Sequence, residues 1–221
     1  RYHDRKLTMS SDKKHRFGRN WMNEHVNDSY VKKAKKAGYR ARSAFKLDEI
    51  DKKDKLLKPG QNVVDLGAAP GGWCQYARKK LGKKSRLIAV DLLPIEPIEG
   101  VEIIQGDFTD QQVRQQINDM LDNKTIELVL SDMAPNISGI VSADQARSIG
   151  LAEDVLDWSC SILALDGGLL MKVFQGSGFD QLRKELLANF RSVAVRKPDA
   201  SRSRSSEVYL LARGFKGIEA N

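Results

Sequence analysis

Three glycines and an acid fall close together in Asp65-Leu66-Gly67-Ala68-Ala69-Pro70-Gly71-Gly72-Trp73. Gly67, Gly71 and Gly72 carry no side chain to keep a ligand off the backbone, the property by which a glycine turn holds a nucleotide-like molecule. The spacing is D-x-G-x-x-P-G-G rather than G-x-G-x-x-G, with an acid two residues before the first glycine. An acid there repels a pyrophosphate and suits a ligand bearing positive charge. S-adenosylmethionine, with its sulfonium and amino groups, fits better than NAD. An ordinary strand-to-helix turn would satisfy the same motif taken alone.

Three more aspartates follow at the ends of apolar runs. Arg86-Leu87-Ile88-Ala89-Val90-Asp91 closes on an acid about 20 residues past the turn, where Rossmann-type sites bind ribose hydroxyls. The runs ending at Asp107 and Asp132 repeat the pattern. Ligands of open parallel sheets bind outside the carboxyl ends of the strands, so Asp65, Asp91, Asp107 and Asp132 are expected to converge. Turns favour Asp for local reasons; four in register with one glycine turn point to an adenosine-type cofactor. Lys172 is the other outlier, a charge inside Gly168-Leu169-Leu170-Met171-Lys172-Val173-Phe174. Burying it is costly unless it is paired, although an edge strand or a snorkelling side chain would avoid the cost. His3, His15 and His25 all lie near the N-terminus, so neither a histidine base nor a metal cluster is expected. Cys74 and Cys160 read as reduced, packed thiols. No cysteine accompanies Ser131-Asp132-Met133-Ala134-Pro135-Asn136, which disfavours thiol-dependent pyrimidine methylation. The same segment only half matches the D/N-P-P-Y of amino-methyltransferases.

Alternating elements must position these residues. Helix patterns occupy roughly 40–57, 72–81, 110–122, 143–163 and 179–189; strand patterns occupy 62–67, 86–92, 101–106, 126–131, 168–174, 192–196 and 206–213. This alternation predicts an α/β fold, a mostly parallel sheet with helices on both faces. The last two strands have no helix between them, so one is expected to run antiparallel. Seven strands so arranged resemble the Rossmann-like fold of S-adenosylmethionine-dependent methyltransferases. At 221 residues and 41% hydrophobic content, the chain holds one such domain plus an appendage, divided here as 1–39 and 40–221. No apolar run approaches the roughly 18 residues of a membrane span, and no signal pattern opens the chain, so a cytoplasmic protein is expected. No apolar seam suggests a dimer, and a monomer is expected.

Charge is placed unevenly. Residues 1–46 hold 14 Lys and Arg against four acids, a net +10 in a chain of +8, so the remainder is slightly acidic. With Trp21, Tyr30 and Tyr39 interleaved, this basic arm suits a phosphate backbone. Arg19, Lys32, Lys33, Lys35, Lys36, Arg40 and Arg42 are its candidate RNA contacts, and Arg196, Lys197, Arg202 and Arg204 could extend the surface. A solubilising tail is the plainer alternative. Residues before about Ser10 are expected to be unstructured, and Met9 is a candidate native start.

The longer motifs resemble the FtsJ-type ribosomal RNA 2′-O-ribose methyltransferases, and among them the bacterial heat-shock branch. The similarity runs from about Trp21 to Gly214. It is carried by Arg40-to-Ile50, Asp65-to-Trp73, Asp91-to-Pro94, Gln105-to-Phe108, Ser131-to-Asn136, Lys172-to-Gly176 and Arg196-to-Pro198. The resemblance implies a Lys-Asp-Lys-Glu catalytic tetrad, supplied here by Lys46, Asp132, Lys172 and Glu207. It also implies a cofactor site lined by Gly71, Trp73, Asp91, Asp107 and Asp132, to which the turn adds Asp65, Gly67 and Gly72. Asp91 would hold the ribose hydroxyls and Asp107 would lie by the adenine. Lys172 would accept or steer the proton of a ribose 2′-hydroxyl, with Asp132 orienting it and Lys46 and Glu207 positioning the ribose. The implied partner is large-subunit ribosomal RNA, at the uridine of the peptidyl-transferase A-loop, with no metal. A transfer RNA enzyme of the same family, and a non-catalytic ribosome-assembly factor keeping the fold, stand as alternatives. The basic arm favours the ribosomal branch, and the complete tetrad favours an enzyme.

Overall fold

In the computed structural model, residues 28–122, 124–202 and 205–217 are described. Seven strands form one sheet: β1 (Val63–Leu66), β2 (Leu87–Asp91), β3 (Glu102–Gln105), β4 (Ile126–Ser131), β5 (Leu163–Phe174), β6 (Phe190–Arg196) and β7 (Glu207–Phe215). Their spatial order is β3-β2-β1-β4-β5-β7-β6. β7 runs antiparallel to both its neighbours, and the pairs joining β3, β2, β1, β4 and β5 are parallel. The reversed strand is thus β7, inserted between β5 and β6.

Six helices are described, α1 (Ser29–Ala37), α2 (Ala44–Asp54), α3 (Gly72–Leu81), α4 (Gln111–Leu121), α5 (Val141–Ile162) and α6 (Phe179–Asn189), of which α2 to α6 cover the sheet and α1 packs on α2. Strand side chains alternate between faces, and the core divides accordingly. Val63, Leu128 and Leu170 pack with Leu47, Ile50 and Trp73 of α2 and α3. Val64, Val129 and Leu169 pack with Ile117, Val155 and Leu186 of α4, α5 and α6. The interior strand β1 is buried along its whole length, as expected of a strand covered on both faces.

Three elements differ from the sequence expectation. α1 was not anticipated; Asp28 caps it by accepting from the Tyr30 and Val31 amides, and Gly38 ends it at φ 73°. Lysine-rich sequence masked its apolar contacts, which are few: Ala34, with Tyr30 alongside, meets Phe45 and Ala200. α2 starts at Ala44 rather than 40. α5 passes into β5 without a linker. Leu163 already pairs with Ile126, the chain then bulges through Asp166 at φ 64°, and pairing resumes at Gly168 opposite Leu128.

The strand order reverses between β1 and its neighbours, since β1 connects forward to β2 on one side while β4 lies on the other. Such a switch point opens a crevice at the carboxyl ends of the strands.

Candidate active site

A cavity of about 390 Å³ occupies this crevice, walled by Gly67, Asp91, Asp107 and Asp132 with Val90, Phe108 and the segment Met133 to Asn136. Asp91 is fixed at both oxygens: Oδ2 accepts from the Ala69 amide at 2.8 Å and Oδ1 from the Leu93 amide at 2.8 Å. The Thr109 hydroxyl (2.7 Å) and amide (2.8 Å) both donate to Asp107 Oδ1, and these bonds hold that carboxyl below its usual range. Among the described residues, no Lys, Arg or His lines the cavity. Its lining carboxylates are those of Asp91, Asp107 and Asp132, the last paired from behind with Lys172, and such a wall suits a sulfonium and an ammonium and opposes a pyrophosphate.

The other four residues expected at the cofactor do not line the cavity. Asp65 is wholly buried behind the turn. Burial pushes its carboxyl up to about 7; the Cys74 thiol, donating to Oδ2 at 3.0 Å, opposes this, while Asp132 and Asp91 add to it. Its Oδ1 has no hydrogen-bond partner. Around Gly71 and Gly72 the space is filled by protein: a Cβ on Gly71 would lie 2.6 Å from Ile98, and one on Gly72 would lie 3.3 Å from Ala41. Trp73 donates its indole N–H to the Ser43 carbonyl at 2.8 Å, with its ring 5.7 Å from that of Tyr209. Gly67 does line the cavity, but its φ of 75° and the Met133 amide 2.9 Å from a would-be Cβ show a second reason for glycine. There the turn lets the chain leaving β4 come close.

The tetrad residues come together from four elements. The register Ser131↔Met171 sets the next residues, Asp132 and Lys172, side by side. Lys172 Nζ lies 3.1 Å from Asp132 Oδ1 and donates to the Asp132 carbonyl at 2.5 Å. Across β5 and β7, Lys172 pairs with Tyr209 and Phe174 with Glu207. Lys46, on α2, donates to Glu207 Oε1 at 2.6 Å. Burial alone would raise the Glu207 carboxyl, but the charge and hydrogen bond of Lys46, helped by Lys172 and Ser201, bring it below its usual value. All four side chains are largely buried.

Tyr209 was missed from the sequence. Its hydroxyl donates to Asp132 Oδ1 at 2.7 Å and lies 3.4 Å from Glu207 Oε1, so it joins the two ion pairs. The available signal was period 2: Tyr209 follows Glu207 by two on the same face of β7. Burial and the two carboxylates hold its hydroxyl well above the ordinary tyrosine value.

The basic residues separate into two groups. Lys32, Lys33, Lys35 and Lys36 stand exposed on α1, with Lys33 Nζ 5.0 Å from the Phe45 ring centroid. Arg40, Arg42, Arg196 and Lys197 are engaged within the protein. Arg40 donates to the carbonyls of Pro70, Glu96 and Pro97 at 3.2, 2.6 and 2.9 Å. Arg42 binds Asp28 and the Ala200 carbonyl. Arg196 grips Asp54 with two bonds of 2.7 and 2.6 Å, and Lys197 holds the carbonyls of Ser205 and Glu207. Arg202 is half-buried beside Arg42. Arg19 and Arg204, like Trp21 and the three histidines, lie outside the described residues. Among the described residues, no group of three or more potential metal ligands gathers and no helix is long and apolar enough to cross a membrane.

A protein from Marinobacter nauticus named ribosomal RNA large subunit methyltransferase E is 54% identical over 196 residues, covering 89% of this chain and 95% of its own. One of the same name from Stutzerimonas stutzeri is 51% identical, covering 93% of this chain and 100% of its own. The crystal structure of a Plasmodium falciparum protein described as a ribosomal RNA methyltransferase superposes with a TM-score of 0.74 at 28% identity, over 81% of this chain and all of that one. The FtsJ-like methyltransferase family model matches residues 39–215, which include the cavity and all four tetrad positions. By sequence and by fold, the chain belongs to the FtsJ-like methyltransferases.

Proposed function

We propose that this protein transfers a methyl group from S-adenosylmethionine to a ribose 2′-hydroxyl of large-subunit ribosomal RNA, with the A-loop uridine as the expected target. The observation that carries the reading is the pair of ion pairs, Lys172–Asp132 and Lys46–Glu207, joined through Tyr209 beside an acid-lined cavity. The names of the relatives from Marinobacter nauticus and Stutzerimonas stutzeri support the substrate class.

S-adenosylmethionine, when bound, supplies an activated methyl group to an oxygen nucleophile. The protein's residues have to hold, orient and deprotonate around that event. Asp91, locked by two amides, keeps lone pairs for ribose hydroxyls. Asp107 and Asp132 complete a negative wall that favours a cationic ligand. Lys172, oriented by Asp132, can as an ammonium electrostatically steer the proton leaving the 2′-hydroxyl; to receive that proton it must first have lost its own. Lys46 and Glu207 position the ribose. Such positioning supplies much of a methyl-transfer rate, and a proton acceptor adds about 10²–10⁴-fold.

The test is transfer of labelled methyl to large ribosomal subunits, protein-free ribosomal RNA and transfer RNA, with alkaline resistance mapping the 2′-O-methyl group. Labelling of ribosomal RNA at a ribose, falling at least about 100-fold in Lys172→Met, is the expected result. Labelling mainly of transfer RNA would move the substrate to the sister branch, and a near-normal rate in Lys172→Met would remove Lys172 from the chemistry.

A further inference from the structure

The segment leaving β4 carries three exposed apolar side chains within five residues: Ile137 at 67%, Ile140 at 63% and Val141 at 70%. Isolated exposed aliphatics need no explanation, but a cluster beside a site does.

The cluster is held outward by a specific device. Asp144, in the first turn of α5, is 7% exposed and spends its carboxylate on the loop. Its Oδ1 accepts from the Ser138 amide and hydroxyl, both at 2.7 Å, and its Oδ2 accepts from the Gly139 amide at 3.0 Å. The loop is thereby tied at its middle, which leaves the flanking Ile137 and Ile140 in solvent. The same helical turn also holds the end of β5: Ser148 Oγ accepts from the Phe174 amide at 3.2 Å, and Gln145 Nε2 donates to the Gln175 carbonyl at 3.3 Å. One short piece of α5 therefore sets the tip relative to both Asp132 and Lys172.

The tip continues the cavity wall. Ile137 directly follows Asn136, which lines the cavity. Ile137 is five residues beyond Asp132 and so within about 18 Å of it even at full extension, which sets this end of the tip beside the site. A second groove, lined by Asn136, Arg147 and Leu151 among others, runs on from the cavity along α5. Arg147 donates to the Asn136 carbonyl at 3.2 Å, which places one cation at the foot of the tip.

We infer that Ile137, Ile140 and Val141 form a wedge that seats against a nucleobase of the RNA substrate adjacent to the target ribose. The inference rests on the proposed RNA 2′-O-methylation. A folded RNA must unstack locally to present one 2′-hydroxyl to a recessed site. Aliphatic side chains inserted at a base step serve this purpose in nucleic-acid complexes, since a base offers an uncharged face. The tip matches that face in being aliphatic and uncharged, and Arg147 at its foot, half-exposed and 3.9 Å from Asp144 Oδ1, supplies a cation for the adjoining phosphate.

Two readouts test it. In the first, Ile137→Ser, Ile140→Ser and Val141→Ser are combined, and steady-state methylation of large ribosomal subunits is compared with S-adenosylmethionine binding and thermal melting. KM for subunits is expected to rise about tenfold or more, with cofactor Kd and Tm nearly unchanged. An unchanged KM overturns the wedge, and a parallel loss of cofactor affinity makes the loop a cofactor lid instead. In the second, Ile140→Cys in a Cys160→Ser background carries a thiol-linked photocrosslinker on the full protein bound to large subunits. An adduct on ribosomal RNA within a few nucleotides of the methylated ribose supports the wedge. An adduct on a ribosomal protein alone, or none, overturns it. If the wild-type protein methylates no ribosomal RNA, the functional reading fails separately, while the crosslink still reports whether RNA meets the tip.

Discussion

Asp91 ends β2 and Asp65 lies one residue before the end of the neighbouring parallel strand β1, yet their carboxyls meet opposite surroundings. Asp91 is met by two amides at the cavity wall, whereas Asp65 is sealed in the core with one oxygen unpartnered and its carboxyl raised to about 7. The linkage sign follows. Between the unfolded value near 3.9 and about 7, the folded chain holds a proton that the unfolded chain has released, so stability falls as pH rises. The penalty is complete above about 7 and amounts to up to about 4 kcal/mol. Asp65→Asn, neutral at every pH, is expected to melt several degrees above wild type at pH 8, with the gap closing near pH 4. Calorimetry of the unliganded protein across that range checks this, and a gap independent of pH would mean that Asp65 does not carry the proton. The residue type was readable from the sequence; its burial was not, because neighbouring acids in one pattern gave no hint of which faced inward.

At the scale of elements, Arg40 illustrates what local sequence conceals. In sequence it is one more cation of a basic arm, next to Arg42. In the fold its guanidinium joins the carbonyl of Pro70, in the glycine turn, to those of Glu96 and Pro97, beyond β2, while its amide donates to Gln75 of α3 at 2.8 Å. The loop that follows Asp91 is thus fastened to the turn that precedes α3. Arg40→Met keeps the side chain's length and loses every donor. It is expected to weaken S-adenosylmethionine binding about tenfold, since hydrogen bonds to a charged donor are worth about 1.5–3 kcal/mol each before relaxation, while RNA affinity changes far less. Calorimetric cofactor titration and RNA filter binding on one preparation separate the two effects; the reverse pattern would return Arg40 to the RNA surface.

For the whole molecule, the basic surplus of the N-terminal 46 residues adjoins a slightly acidic remainder. The part of that arm described here is attached to the domain: α1 docks on α2 through Tyr30 and Phe45, whose rings lie 5.8 Å apart, and Tyr30 donates to Glu49 at 3.1 Å. Its exposed lysines are carried on this docked helix, with Lys33 over the ring of Phe45. Phosphate contacts are read out as salt dependence, each contributing about 0.7–0.9 to the slope of log K against log salt. Replacing Lys32, Lys35 and Lys36 together with Ala is expected to flatten that slope by about 2 and leave cofactor affinity unchanged. Binding measured between about 50 and 200 mM salt decides it, and an unaltered slope would place the phosphate contacts elsewhere.

The sequence alone determined what depends on local pattern: period-2 and period-3.6 runs set the α/β alternation, and the absence of a helix between the last two strands required a reversed strand. Motifs of fixed spacing, from Arg40-to-Ile50 to Arg196-to-Pro198, marked the family, and through that resemblance Lys46, Asp132, Lys172 and Glu207 were expected to act together. Tertiary structure decided what depends on distant segments meeting. The register of β4 on β5 set Lys172 beside Asp132, that of β5 on β7 brought Tyr209 between two carboxylates, and the packing of α2 over the sheet brought Lys46 to Glu207. It also separated Asp91, at the cavity, from Asp65, in the core, and engaged Arg40, Arg42 and Arg196 in bonds to the protein's own carbonyls and carboxylates. A charged side chain has the same identity wherever it lies; only the closed fold fixes whether water, a ligand or another buried charge becomes its partner.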